Sequence, residues 1–274
     1  MASSTVYHAR SVSLPSRPHP TAEQVVEQLS RLRSFQSASC SSSSVSHGLN
    51  GLKDLYSCVD ELLQQSRLSQ NQNAKWVDEV LDGSLRLLDI CSASRDALQQ
   101  SRERLGDVQS ALRRRCSGEL SIVSEAVEYL NTRRVVKKAI KKCLKNLKIE
   151  TEQKDEAHAT IHLMKDVQAL TADTLKSLMS YIVGSQKSGW SAVTKMIKKN
   201  TNKETCTSEF DDVDATLNSL ICQKKSGISS SQVENLMSQT FKLDSEIQDL
   251  DESLECLFRD LVKSRATLLN IFSY

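Results

Sequence analysis

Proline is absent from this chain after Pro20; all three of its prolines, Pro15, Pro18 and Pro20, fall in the first twenty of 274 residues. Glycine is scarce as well, with eight copies. A chain so poor in turn formers cannot supply the many reversals of a β-sandwich or barrel, whereas long helices need few. Aromatic residues make up only 4%, so the core has to be built from aliphatic side chains. No apolar run reaches the roughly 18 residues that a membrane-spanning helix requires. The eight cysteines include no C-x-x-C pair, and no secretory h-region is present. They read as small buried hydrophobes in a reducing compartment, and the expectation is a cytoplasmic protein.

Recognised catalytic signatures are also missing. The chain has no G-x-x-x-x-G-K-[ST], no G-x-G-x-x-G and no H-E-x-x-H, and its glycines do not cluster into a phosphate-cradling loop. His158 and His162 stand four apart, a spacing that puts two imidazoles on one helix face, but no third ligand accompanies them. No catalytic residue, metal site or cofactor is therefore assigned. The reading is that of a non-enzymatic protein. A formal charge of +2 sets up no global field for nucleic acid, so any electrostatic role rests on local clustering.

What the chain does have is helical periodicity. Between residues 231 and 272, Leu236, Leu243, Leu250, Leu257 and Ile271 recur at heptad spacing, with Ser264 as the polar member. Thr240, Ile247, Leu254, Leu261 and Leu268 form a second series offset by four. This 4-3 pattern predicts a helix of about 40 residues that buries one narrow seam along about 60 Å. Other helices of the same chain, or a second copy, must cover it. At least five further amphipathic segments need partners of their own, which favours an intramolecular seam and a monomer.

The expected architecture is all-α, an elongated multi-helix bundle ending in this long helix. Residues 1–20 form a basic disordered arm, and 21–274 form a single helical domain with a serine-rich linker at 37–46. Thr21 and Gln24 make a capping box ahead of Val25, Val26, Leu29, Leu32 and Phe35. Leu49, Leu52, Leu55, Tyr56, Val59, Leu62 and Leu63 mark a second helix, and 70–73 a turn. Residues 76–115 read as one long helix, or two broken near Ser92, with Ser84 polar in the seam of Val77, Cys91, Leu98, Leu105 and Leu112. Arg95 and Arg102 are either solvated at its edge, the favoured option, or paired with acids of a neighbour. Leu120, Val123, Val127 and Leu130 open another helix, whose phase slips near Asn131 to a stripe of Val136, Ile140, Cys143 and Leu147. A well-buried helix follows over 160–183, then a short one from Trp190, then one carrying Phe210, Val213, Leu217, Leu220 and Ile221.

Two stretches carry possible recognition chemistry. Arg10, Ser11, Ser13 and Pro15 spell R-S-x-S-x-P, the form that 14-3-3 proteins bind once the second serine, Ser13, is phosphorylated. Arg133, Arg134, Lys137, Lys138, Lys141, Lys142, Lys145 and Lys148 form a run with no acid between Asn131 and Lys148. That run is a solvated outer face, a docking surface for anionic lipid, or one for an acidic protein partner. Nucleic acid is not expected, since no aromatics interleave the lysines.

Several longer strings resemble the plant BYPASS-like family. They are residues 7–20 (YHARSVSLPSRPHP), 55–63 (LYSCVDELL), 81–89 (LDGSLRLLD), 111–115 (ALRRR), the 137–148 lysine run, 254–259 (LECLFR) and 265–270 (RATLLN). The resemblance spans nearly the whole chain. It implies a part in plant root and shoot development, and no enzyme activity, cofactor or catalytic residue to carry over. Some relatives are described as chloroplastic or membrane-associated. The first twenty residues here are short for a transit peptide and embed the family string itself, so plastid import is not expected.

Overall fold

The computed structural model describes residues 20–36, 42–65, 74–114, 119–146, 159–184, 208–222 and 228–273. Every element among them is an α-helix: α1 (Pro20–Gln36), α2 (Ser42–Gln65), α3 (Ala74–Arg113), α4 (Glu119–Asn146), α5 (Ala159–Val183), α6 (Glu209–Cys222) and α7 (Ser230–Ser273). The turn expected at 70–73, the short helix from Trp190, the 10–15 motif, His158 and Lys148 lie outside the described residues.

The long C-terminal helix is 44 residues, and its seam is covered within the chain. Leu236, Thr240, Leu243, Ile247, Leu250, Leu254, Leu257, Leu261, Ser264 and Leu268 are all buried. Its main partner is α3, with α2 and α6 also packed on it. Cross-contacts fix the direction of the α3–α7 pair. Arg265 donates to Ser84 Oγ at 2.9 Å and to the Leu81 carbonyl. Cys91 Sγ meets the Leu254 carbonyl at 3.5 Å, and Gln109 Nε2 the Thr240 carbonyl at 3.1 Å. Partner numbers fall on α7 as they rise on α3, so the two helices run antiparallel. Burial pushes the Cys91 thiol up to about 12, which keeps it a packing group and a weak donor.

The same layer decides the fate of Arg95 and Arg102, and overturns the solvated-edge option. Arg95 Nε lies 3.1 Å from Asp251 Oδ1, with Glu255 at 3.7 Å from its Nη2. Arg102 bonds Asp244 at 3.0 Å and Gln248 at 3.1 Å. Each step of seven along α3 meets a step of seven back along α7, so both arginines are tied to the partner rod. The α3 helix is continuous, with no break at Ser92.

α5 is covered from several sides, by α1, α2, α3 and α4. Its polar core residues are satisfied where they stand: Thr171 Oγ1 lies 3.1 Å from Tyr56 Oη, and Gln168 Nε2 bonds the Val80 carbonyl at 2.7 Å. All seven apolar residues expected on α2 are buried. The serine-rich linker is shorter than expected, because α2 already includes Ser42–Ser46. Ser42 and Val45 of that stretch are buried, and packing overrides the poor helix propensity of serine there. α1 starts at Pro20, where the fixed φ of proline suits a first helical position.

Helix ends are specified by local chemistry. Ser229 and Gln232 form a reciprocal capping box at α7: the Gln232 N–H donates to Ser229 Oγ at 3.3 Å, and the Ser229 N–H to Gln232 Oε1 at 3.0 Å. Ser208 accepts the Asp211 N–H at 3.2 Å at the start of α6, whose first turn carries Glu209, Asp211 and Asp212 at the positive end of the helix dipole. α5 closes at Gly184, with φ of 74° and its N–H donating to the Ser180 carbonyl at 3.0 Å.

Candidate functional site

α4 carries the basic run, and its helical phase sorts that run into two populations. Ile122, Ala126, Tyr129, Arg133, Val136 and Ile140 are buried and follow each other at spacings of four and three. They form one uninterrupted inner stripe. The expected stripe through Leu120 and Val127 is corrected by this: Leu120 is 87% exposed and Val127 37%. No phase slip occurs near Asn131. The seam simply passes through an arginine.

Arg133 is therefore not part of a docking face. It is 1% exposed and anchors α4 to α5 and α6. Its Nε donates to Asp214 Oδ1 at 3.3 Å, and its Nη2 to the Ile182 carbonyl at 2.7 Å. Its guanidinium carbon stands 4.2 Å from the Phe210 ring centroid. The Ile182 carbonyl belongs to the last turn of α5, so a buried cation also sits at the negative end of that helix dipole. Lys137 turns to the same carboxylate, with Nζ 2.8 Å from Asp214 Oδ2. It too leaves the expected docking face. Tyr129 is buried beside this group, and burial together with the Asp214 carboxylate holds its phenol above the ordinary value. Planar, five-donor arginine suits this place, since one fork serves a carboxylate and a carbonyl while its face stacks on a ring.

A second polar group continues from α6 toward α7. Tyr181 donates to Glu209 Oε2 at 2.7 Å, and Lys242 Nζ lies 3.2 Å from Glu209 Oε1. Burial works against ionisation of Glu209, but the bonds from Tyr181 and Lys242 outweigh it and hold the carboxyl below the usual glutamate value. Glu246 nearby goes the other way, pushed up by burial and then by the Glu209 charge. Both groups hold helices together; neither presents a nucleophile, a general base aimed at open space, or a ligand set. Among the described residues no group of three or more His, Cys, Asp and Glu side chains could hold a metal ion. His162 is exposed.

The remaining cations face outward. Arg134, Lys138, Lys141, Lys142 and Lys145 are exposed. At about 100° per residue they occupy an arc of roughly 100°, opposite the inner stripe. Arg134 bonds the Asn131 side chain at 2.9 Å. Lys138, Lys141, Lys142 and Lys145 make no ion pair among the described residues. Three aliphatic residues share or border the same arc: Leu120, Val127 and Val135, the last 63% exposed. The surface is thus a ridge anchored from behind, basic toward its C-terminal half and mixed toward its N-terminal half, where exposed Ser124, Glu128 and Asn131 stand among the aliphatic residues. Charge alone made the run visible in the sequence. Separating its members required the register of the inner stripe, and Tyr129 and Arg133 hid that register by being polar.

No described helix is long and apolar enough to cross a membrane. Neither the curated proteins nor the solved structures give a match to the chain. A family model described as Protein BPS1 matches residues 48–271, from the first turns of α2 to the end of α7, and so includes the whole basic ridge and its buried anchor. The chain belongs to the BPS1 family, the BYPASS-like plant family that its sequence strings resemble.

Proposed function

We propose that this protein is a non-enzymatic adaptor or regulator in plant root and shoot development, working in the cytoplasm by docking rather than by chemistry. Family membership supports the developmental setting. The observation that carries the docking reading is the outer face of α4: Lys138, Lys141, Lys142 and Lys145 are exposed and unpaired among the described residues, on a helix fixed from behind by Arg133. Like charges crowded on one face repel one another, which is relieved when the face meets an anionic surface. The covered seam of α7 supports a monomeric working unit. The 10–15 motif adds a second contact of a different kind, 14-3-3 capture after phosphorylation of Ser13.

Proximity labelling in root and shoot tissue tests the reading, with wild type compared with K138Q/K141Q/K142Q/K145Q. Wild type is expected to label a set of neighbours that the variant loses while accumulating to the same level. Identical neighbour sets would remove the α4 face from the function. For the arm, capture of 14-3-3 protein by the phosphorylated chain and not by S13A is the expected result.

A further inference from the structure

The ridge on α4 has features that charge repulsion alone does not require. On a helix whose inner stripe is complete, aliphatic residues on the outer arc have no core to fill. Yet Leu120, Val127 and Val135 stand there, 87%, 37% and 63% exposed, beside exposed Ser124, Glu128 and Asn131. Apolar side chains and lysines sharing one helix face suit an interface that is greasy at one depth and anionic at another. The surface of a bilayer is such an interface: aliphatic groups enter the headgroup–acyl boundary, and lysine stems reach back to the phosphates.

Size argues the same way. From Leu120 to Lys145 the ridge is about 37 Å long, and one helix face is about 10 Å wide. That offers roughly 370 Å², less than half of the about 800 Å² per partner in a standard protein–protein interface. A folded protein would touch this convex ridge along a narrow strip, whereas fluid lipid closes around it. Resting on the docking reading above, we propose that the anionic surface met by α4 is a lipid bilayer, with Arg134, Lys138, Lys141, Lys142 and Lys145 on the headgroup phosphates and Val127 and Val135 entering beneath them. The helix would lie flat on the membrane while the remaining helices stay in water.

Flotation of the full chain with vesicles tests this, using phosphatidylcholine alone and phosphatidylcholine mixed with phosphatidylserine. Wild type is expected to float with the mixed vesicles only, and to be released as salt rises. K138Q/K141Q/K142Q/K145Q should bind more weakly by roughly fivefold per lysine, compounding to a hundredfold or more. V127S/V135S should keep the salt dependence and bind several-fold more weakly. Because all of these positions are exposed, circular dichroism should find both variants folded with the midpoint of wild type. Flotation with neutral vesicles as well as anionic ones, or an unaffected lysine variant, overturns the proposal. So does an unaffected V127S/V135S, which would leave a purely electrostatic contact. No flotation on any vesicle also overturns it. The tissue labelling then separates the two claims: if the lysine variant still loses its neighbours there, the docking reading stands with an acidic protein as the partner, and if it keeps them, both readings fall.

Discussion

Arg133 and Lys138 are five residues apart in the same basic run, and the fold gives them opposite work. The first is 1% exposed and holds a carboxylate, a helix-terminal carbonyl and a ring; the second is exposed and unpaired among the described residues. Removing one member of a buried ion pair typically costs about 3–5 kcal/mol. Lys137 still neutralises Asp214 when Arg133 is gone, which places Arg133→Ala near the lower end, about 3 kcal/mol. Lys138→Ala should change stability by no more than about 0.5 kcal/mol. Urea unfolding of the two variants measures this directly, and equal effects would refute the assignment. Glu246 offers a pH test. Its carboxyl is raised by burial and by Glu209, so the folded state holds that proton more tightly than the unfolded chain. Stability tied to Glu246 is then present at low pH and lost as pH rises through the raised value. Glu209, held below its ordinary value, works oppositely and loses its contribution as pH falls. Glu246→Gln is expected to raise Tm at neutral pH, with the gain fading in buffers below the ordinary glutamate range. A lower Tm at neutral pH would mean that the Glu246 charge is favourable.

At the scale of elements, α4 and α6 depend on how α5 ends. Gly184 adopts φ of 74°, and a Cβ there would run into the Asp211 carboxylate in the first turn of α6. Gly184→Ala combines a left-handed backbone with that clash and should cost more than the roughly 1 kcal/mol of the conformational term alone. Thermal melts would check it, and an unchanged Tm would show that α5 can end another way. The elements were legible in the sequence to different degrees. α2 and α7 were clear because their seams are nearly all aliphatic, so a 4-3 pattern stands out against polar flanks. α4 was legible as a helix but not in its phase. Its inner stripe includes Tyr129 and Arg133; of the apolar residues counted, Leu130 is buried and Val123 packs against the core, while Leu120 and Val127 point outward. Arg95 and Arg102 were misjudged for a related reason: one helix shows a charged residue at the seam edge, but only the facing rod supplies Asp251 and Asp244. The serines of 42–46 were read as linker from composition, and tertiary burial of Ser42 and Val45 decided otherwise.

Across the molecule, two long antiparallel rods, α3 and α7, carry α2, α4, α5 and α6, while α1 packs on α2 and α5, and the basic ridge lies on a helix packed against α3. The all-α class followed from the scarcity of proline and glycine together with the heptad seams. The basic face was visible as a cluster of charge, while its boundaries depended on which residues of α4 turn inward. The central claim is that helix phase divides one basic run into members held inside the fold and members exposed on its outer face. Brief acetylation of the native protein, with each lysine quantified by mass spectrometry against the unfolded chain, tests it most directly. Lys138, Lys141, Lys142 and Lys145 are predicted to react at nearly unfolded rates, and Lys137, bound to Asp214, several-fold more slowly. Equal rates at Lys137 and Lys138, or protection of the four outer lysines, would contradict the account.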